Sequence, residues 1–240
     1  MLSLKNIRLD IPEKENLING VSLDIEPGKL TVITGPNGGG KTSIAKLIAG
    51  IYTPTSGKIL LDGEDITDMP VSERAKKGIA YAFQQPVSFK GITVRGLMEI
   101  AANKKMPEVN MCRILEKVGL CAREYMDREM DSHLSGGEMK RIEIATVLAR
   151  PAKYIVFDEP EAGIDLWSFN SLIDAFEKLK SEEDRALLII SHQERILDIA
   201  DELIVIRDGV ISQSGKKDDV LPTLIGANTK GYCPKGNEVF

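Results

Sequence analysis

The sequence predicts an α/β fold whose core is a mostly parallel, doubly wound sheet. Residues 30–34, 154–157 and 187–190 are continuous apolar runs of strand length. Segments with helical spacing lie between these runs, so strands and helices alternate along the chain. Strands buried on both faces are apolar throughout, and their alternation with helices favours parallel pairing. We expect one antiparallel β subdomain and one inserted α-helical subdomain beside this core.

The antiparallel β subdomain is predicted from the start of the chain. Residues 2–11 and 17–25 are typical of strands, and residues 12–16 form the turn between them. Residues 58–61 before Asp62-Gly63 and residues 79–83 before Pro86 predict two further strands. Residues 203–206 and 210–213 flank Asp208-Gly209 and predict a terminal hairpin.

Four segments of the chain are predicted to be helical, and one further segment follows the core. Residues 42–49, 135–149 and 166–179 have helical spacing. Residues 93–118 also have it, and Met106-Pro107 divides them into two helices within an insertion of about residues 87–133. We place one domain at residues 1–216, and a loosely packed tail at residues 217–240 because that stretch is polar and rich in glycine.

Length, charge and cysteine spacing exclude several classes of protein. A chain of 240 residues suits one domain with one sizeable core. The formal charge of -5 gives no electrostatic reason to expect a nucleic-acid partner. No apolar run is long enough to span a bilayer, so we expect a cytoplasmic protein. The spacing of Cys112, Cys121 and Cys233 does not match the C-x-x-C pattern of metal-binding or redox motifs, so we expect free thiols. For Cys233, a role as a metal ligand or as a reactive thiol is the alternative.

Residues 35–42 read G-P-N-G-G-G-K-T and match the phosphate-binding pattern G-x-x-x-x-G-K-[ST] between a predicted strand and a predicted helix. Glycine amides and the helix start bind phosphate oxygens, while the lysine reaches the terminal phosphates and the threonine hydroxyl ligates Mg²⁺. An ordinary glycine-rich turn would not need lysine and threonine in this register. The predicted nucleotide-binding residues are Gly35, Pro36, Asn37, Gly38, Gly39, Gly40, Lys41, Thr42 and Ser43.

A second polar site is predicted where the apolar strand of residues 154–157 ends in Asp158 and Glu159. Ligands of such sheets bind at the carboxyl ends of the strands. Asp158 is a candidate for holding Mg²⁺, and Glu159 for polarising the attacking water. A charged loop edge is the alternative. His192 follows the strand of residues 187–190 and reaches the same edge, although a lone histidine there is often without a site role.

Leu134-Ser135-Gly136-Gly137-Glu138 resembles the signature loop of ATP-binding cassette proteins, and five other motifs of that family occur in the family's order. They are the phosphate loop at 35–42, the Q-loop at Gln84, the Walker B strand at 154–159, the D-loop at 162–165 and the switch histidine His192. The resemblance covers residues 2 to about 214. It implies the ABC ATPase fold and Mg²⁺-dependent ATP hydrolysis by a homodimer that forms on ATP binding.

The resemblance also implies roles that the residues alone leave open. Ser135, Gly136 and Gly137 would bind the γ-phosphate of ATP held by the partner copy, although Ser135 also suits a helix N-cap. Gln84 would sense Mg²⁺ and the attacking water, or could be a loop residue. His192 would contact the γ-phosphate. Asp165 would organise the dimer seam, and it could equally cap the helix that follows.

Adenine recognition departs from the family pattern. That family often stacks the base on an aromatic residue near the end of the first strand, but Asp10-Ile11-Pro12 contains none. We expect weaker base selectivity, with Ile11 as the candidate for an apolar contact.

Two partner classes remain after the family is assigned. Residues 83–87 with Gly91-Ile92, residues 191–198 and residues 211–215 resemble the ATPase of the Suf iron–sulfur cluster assembly system. That resemblance implies a soluble Suf-type scaffold docked on the Q-loop and the helical insertion. Glu161-Ala162-Gly163-Ile164-Asp165 and the shorter insertion depart from the Suf pattern, and Pro160 is typical of transporters. The alternative is the ATP-hydrolysing subunit of a membrane transporter, with a permease docked on the same surface.

Overall fold

A computed structural model describes residues 1–85, 87–131, 133–181 and 184–228. The first part of the chain forms β1 (Leu2–Ile11), β2 (Lys14–Ile25), β3 (Leu30–Thr34), α1 (Lys41–Ala49), β4 (Ser56–Leu61), β5 (Glu64–Asp65), α2 (Val71–Lys76) and β6 (Ile79–Ala82). The middle part forms β7 (Phe89–Thr93), α3 (Val94–Ala102), α4 (Glu108–Lys117), α5 (Ala122–Tyr125), β8 (Glu129–Met130) and α6 (Gly136–Ala149). The last part forms β9 (Tyr154–Asp158), α7 (Leu166–Lys180), β10 (Ala186–Ile190), α8 (Glu194–Asp198), β11 (Glu202–Arg207), β12 (Val210–Lys216) and α9 (Lys217–Asn228).

The core is a six-stranded sheet in the order β12-β11-β3-β10-β9-β6. All neighbours pair in parallel except β11 and β12, which form the predicted antiparallel hairpin. Every residue of β3, β9 and β10 is buried, as a sheet covered on both faces requires. Helix α1 and the β1–β2–β4–β5 sheet cover one face, and α6 and α7 cover the other. The predicted α/β class is confirmed.

The β subdomain is the four-stranded antiparallel sheet β2-β1-β4-β5. Strand β2 begins at Lys14, so the turn after β1 is shorter than the predicted turn of residues 12–16. Alternate residues of β1, among them Ile7 and Leu9, are buried against α1 and the core sheet. This packing fixes the subdomain beside the start of α1.

The insertion is less purely helical than predicted. Strands β7 and β8 pair antiparallel and enclose α3, α4 and α5 between them. Pro107 caps α4, so the predicted division at Met106-Pro107 is confirmed. Val94 and Met98 of α3 and Met111 and Leu115 of α4 are fully buried in the core that α6 shares.

The prediction of a loosely packed tail after residue 216 is wrong for its first part. Residues 217–228 form α9, and Val220 is 2% exposed in the core cluster. Leu221 and Leu224 pack partly against the same cluster, so a short apolar face outweighs the polar composition around it. Cys233 and the rest of residues 229–240 lie outside the described residues. Among the described helices, none has the length and apolarity needed to cross a bilayer.

Candidate active site

The carboxyl ends of three core strands meet at one edge of the sheet. Ile190 of β10 pairs with Asp158 of β9 on one side and with Ile33 of β3 on the other. At this edge, β3 continues into residues 35–40, β9 into Glu159 and β10 into Ser191. Ligands of open parallel sheets bind at this position.

The phosphate loop, residues 35–42, is shaped by its glycines. Gly35 has φ 132°, and a Cβ there would lie 2.1 Å from the carbonyl oxygen of Ile206 in β11. Gly40 has φ 104°, and a Cβ there would lie 2.6 Å from Ile18 Cδ1 of β2. Only glycine combines these backbone angles with such close neighbours. The loop is therefore held between the core sheet and the β subdomain, and it leads into the amino end of α1, where anions bind favourably.

Lys41 spans the phosphate loop. Its Nζ donates hydrogen bonds to the carbonyl oxygens of Gly35 at 2.8 Å and Pro36 at 2.9 Å, and the residue is only 6% exposed. Burial lowers the pKa of this ammonium group, while the carboxylates of Glu159 and Asp158 oppose that shift. The ammonium group of Lys41 is therefore a partly desolvated cation in contact with the backbone of the phosphate loop.

Asp158 and Thr42 form the candidate metal site. Asp158 is fully buried, and its two oxygens accept hydrogen bonds from Thr42 Oγ1 at 3.1 Å and Tyr81 Oη at 2.9 Å. Burial raises the pKa of Asp158, and the two hydroxyl donors lower it in part. Among the described residues, no group of three or more histidine, cysteine or acidic side chains is arranged to hold a metal ion. Two adjacent oxygen ligands nevertheless fit Mg²⁺, which takes much of its shell from water and substrate phosphates.

Glu159 and Gln84 form a hydrogen bond in the cleft that Thr42 also lines. Gln84 Nε2 donates to Glu159 Oε2 at 2.7 Å, although the two residues lie 75 positions apart. Glu159 has a left-handed backbone with φ 47°, and its amide donates to the carbonyl of Ile190 at 3.0 Å. A non-glycine residue in this conformation is uncommon and is held by its surroundings.

These residues line one cleft of about 380 Å³. Its lining is Leu17, Asn37, Gly38, Gly40, Lys41, Thr42, Ser43, Gln84 and Glu159. The structure therefore brings together most of the predicted phosphate-binding residues with two of the predicted catalytic residues. Leu17 of β2 is the apolar residue in this lining. Ile11, the candidate for an apolar contact with the base, is paired with Lys14 at the shortened turn of the β1–β2 hairpin.

The signature loop and the D-loop pack against each other outside this cleft. Ser135 caps α6: its Oγ accepts from the amide of Glu138 at 3.2 Å, and Glu138 Oε2 accepts from the Ser135 amide at 2.7 Å. A Cβ on Gly137 would lie 2.6 Å from the carbonyl of Gly163. Asp165 accepts from the amide of Ser168 at 3.0 Å and so caps α7. Both predicted N-caps are confirmed.

His192 is exposed at the end of β10, and it is not among the residues that line the cleft. The preceding Ser191 donates from Oγ to Glu161 Oε1 at 2.5 Å. Burial raises the pKa of Glu161, whose second carboxyl oxygen is buried and has no hydrogen-bond partner among the described residues. The turn after Glu159 and the segment that carries His192 are therefore joined by a buried carboxyl group.

Sequence reasoning missed three residues that support the site. Tyr81 donates to Asp158, as described above. Lys140 is fully buried on α6, and its Nζ donates to the carbonyl of Phe83 and to Glu143 Oε2 at 3.2 Å. Glu143 also accepts from the Phe83 amide at 2.7 Å. The available sequence signal was a polar side chain within an otherwise buried helix or strand. The hydrogen-bond partners at the site lie far away in the sequence, so this signal does not identify them.

A groove lies between α3, α6 and the segment around Phe83. We call it the docking groove; its volume is about 260 Å³, and it is lined by Tyr81, Phe83, Val87, Phe89, Leu97, Ile100, Ala101, Met130, Glu143, Thr146, Val147 and Arg150. Phe83 and Ile100 are 42% and 66% exposed. Large apolar side chains clustered in an open groove are typical of an interaction site.

Solved structures share this architecture. A dimeric ATP-binding cassette in a post-hydrolysis state with ADP and Pi matches with a TM-score of 0.80 at 23% identity, covering 90% of this chain and 99% of that one. A nucleotide-free ATP-binding cassette from an ABC transporter matches with a TM-score of 0.79 at 28% identity, covering 94% of this chain and 95% of that one. The predicted ABC ATPase fold is confirmed.

Sequence comparisons agree with the fold. Residues 18–162 match the family model described as ABC transporter. An uncharacterized ABC transporter ATP-binding protein of Methanocaldococcus jannaschii is 37% identical over 227 residues, covering 91% of this chain and 88% of the relative. A probable branched-chain amino acid transport ATP-binding protein of Archaeoglobus fulgidus is 30% identical, covering 85% of each. The chain therefore belongs to the ABC transporter family, and it is an ATP hydrolase of the ATP-binding cassette type.

Proposed function

We propose that this protein is the ATP-hydrolysing subunit of a membrane transporter and that it works on the cytoplasmic side of a permease docked in the docking groove. The observation that carries the proposal is the cleft in which Lys41, Gln84 and Glu159 converge from three separate segments. Two of the sequence relatives are named as transporter ATP-binding proteins, which supports the choice of partner.

In this proposal, the phosphate loop and Lys41 bind the β- and γ-phosphates of ATP. Loop amides and the amino end of α1 stabilise the negative charge, and the ammonium group of Lys41 leaves its two carbonyl acceptors to contact phosphate oxygens. Asn37 and Ser43 complete the cleft. Because Lys41 is already shielded from water, its contact with phosphate loses little hydration and is stronger than a surface contact.

Thr42 and Asp158 are the residues that would hold Mg²⁺, with Gln84 beside them. Bound there, the ion would offset the negative charge that develops on the phosphates during transfer to water. Glu159 accepts a proton from, or polarises, the attacking water, and the 2.7 Å bond from Gln84 orients its carboxylate toward the cleft.

Ser135, Gly136, Gly137, Asp165 and His192 act between two copies in this proposal. Ser135 and Gly136 are exposed at the amino end of α6, where backbone amides and a hydroxyl form an anion site. Gly137 lies so close to the D-loop turn that a Cβ there would be 2.6 Å from the Gly163 carbonyl oxygen, and we expect Asp165 and the signature loop to move together. ATP-dependent pairing of two chains would complete each site, and His192 would contact the γ-phosphate.

The docking groove connects the ATP-dependent pairing of the two copies to the partner, because the partner would be docked on helices that move with the paired sites. Its walls come from α3 of the insertion and from α6, the helix that begins at the signature loop. A helix or loop of the permease with apolar side chains fits a groove of this composition. A soluble Suf-type scaffold is the second candidate, supported by the local sequence resemblance at residues 83–87 with Gly91-Ile92, 191–198 and 211–215.

Recovery of the partner from the native host tests this proposal. The tagged chain should bring down a polytopic membrane protein in stoichiometric amount, and Ile100→Glu should abolish that recovery by placing a charge in the docking groove. Val109→Glu is the matched control, because Val109 is 62% exposed on α4 and does not line the groove. Recovery of a soluble, cysteine-bearing scaffold instead would favour the Suf-type function, and equal loss with both variants would remove the groove assignment.

A further inference from the structure

Tyr81 is shared by the docking groove and the candidate metal site. It lies on β6, paired with Val156 of β9, and it is among the residues that line the groove. Asp158 lies two residues after Val156, so its side chain is on the same face of the strand pair as Tyr81, and the Tyr81 hydroxyl donates to Asp158 Oδ2 at 2.9 Å. One residue therefore lies both at the surface that a partner would cover and against the carboxylate that would hold the metal.

The tyrosine bond restricts the orientation of Asp158. With Tyr81 on Oδ2 and Thr42 on Oδ1, both oxygens have a fixed hydroxyl donor, so rotation of the carboxylate breaks at least one bond. A phenol hydroxyl carries its proton at neutral pH, so Tyr81 is the donor in this bond. The oxygen that faces Thr42 is thereby kept in position for the ion.

Phe83 connects Tyr81 with the groove surface. The two rings meet edge to face, with centroids 4.8 Å apart and planes at 72°. The backbone of Phe83 is held from α6, because its amide donates to Glu143 and its carbonyl accepts from Lys140. Since the Phe83 ring is also 42% exposed in the groove, a partner that presses on this ring acts directly on the position of Tyr81.

We propose that Tyr81 is a positioning residue for Asp158, and that it couples contact at Phe83 in the docking groove to metal binding at the ATP site. The proposal rests on the function proposed above for Asp158 and for the groove. Partner docking would then change the affinity of the ATP site for the divalent ion through a single hydrogen bond, in addition to any movement of whole subdomains.

Binding of Mn²⁺ in the presence of ATP, followed by electron paramagnetic resonance, tests the positioning role without measuring turnover. Tyr81→Phe removes only the hydroxyl and should weaken Mn²⁺ binding roughly tenfold, the effect of one hydrogen bond to a charged group, while metal-free ATP binding stays unchanged. Tyr154→Phe is the matched control: its hydroxyl also donates to a carboxylate, Asp62, at 2.7 Å, and Tyr154 lies at the opposite end of β9 from Asp158. Unchanged Mn²⁺ affinity in Tyr81→Phe, or equal loss in both variants, would overturn the proposal.

A double-mutant cycle tests the connection to the groove. Phe83→Ala should weaken Mn²⁺ binding several-fold when Tyr81 is present, and it should add little in the Tyr81→Phe background. An undiminished effect in that background would mean that Phe83 acts through Gln84, which contradicts the coupling. Asp158→Asn separates the two proposals: if it leaves Mn²⁺ affinity intact, the metal-site assignment fails, whereas a strong loss there with no effect of Tyr81→Phe refutes only the positioning role.

Discussion

Replacing Lys41 by methionine probes the phosphate site with little change in packing. The variant keeps an unbranched stem of similar length but deletes the ammonium group that now bonds to Gly35 and Pro36. A hydrogen bond to a charged group contributes about 1.5–3 kcal/mol, so loss of one phosphate contact should weaken ATP binding roughly 10- to 150-fold. The free energy of unfolding should fall by less than about 1 kcal/mol, because water can reach the partly exposed loop carbonyls in place of the lysine.

Calorimetric titration with ATP and urea unfolding measure these two effects separately. Lys46→Met is the matched control: it makes the same chemical change on α1, where Lys46 Nζ lies 5.3 Å from the centre of the Tyr52 ring and outside the cleft. The control should bind ATP with wild-type affinity. Unchanged ATP affinity in Lys41→Met, or an equal loss in both variants, would refute the phosphate-site assignment.

Three further predictions follow from other parts of the site and fold. Ser135→Ala should spare ATP binding by the monomer but weaken ATP-induced pairing, and should cost about 1 kcal/mol of stability through the lost N-cap; light scattering with ATP and urea unfolding check the two parts. Arg74→Met should destabilise the fold by about 3–5 kcal/mol in urea, because the buried guanidinium donates to four carbonyl groups; a loss under about 1 kcal/mol would contradict this. Hydrogen bonds from Tyr125 and from Ser135 lower the pKa of Glu138 from 4.5 to about 2, so this stabilisation is complete above pH 4.5 and is lost as pH falls toward 2. Urea unfolding at several pH values should therefore show the stability difference between wild type and Glu138→Gln shrinking below pH 4.5, and a constant difference would contradict the bond.

Local patterns were sufficient to predict the core and most of the cleft. Continuous apolar runs predicted β3, β9 and β10, and the rule that ligands bind at strand carboxyl ends placed Asp158 and Glu159 beside the phosphate loop. Ser135 and Asp165 were predicted as possible N-caps from their positions before helical segments, and both are caps. These features depend on neighbours in sequence or on general properties of sheets.

Contacts between distant segments could not be predicted in the same way. The paired residues of β7 and β8 lie 36 or more positions apart in the sequence. So short a pairing leaves no periodic pattern of apolar residues from which it could be predicted. Helix α9 depends on Val220 reaching an existing core, and its polar residues suggested a tail. The bonds of Tyr81 to Asp158 and of Lys140 to Phe83 require the packing of β6, β9 and α6 to be known.

Sedimentation of the Glu159→Gln variant with Mg²⁺ and ATP tests most directly whether two copies close over ATP and hydrolyse it. The amide keeps the size of the side chain and its contact with Gln84, but it cannot accept a proton from the attacking water. We predict a stable dimer with ATP, a monomer with ADP, and phosphate release far below the wild-type rate. A monomer in all conditions would contradict the dimer proposal, and wild-type phosphate release would contradict the role of Glu159.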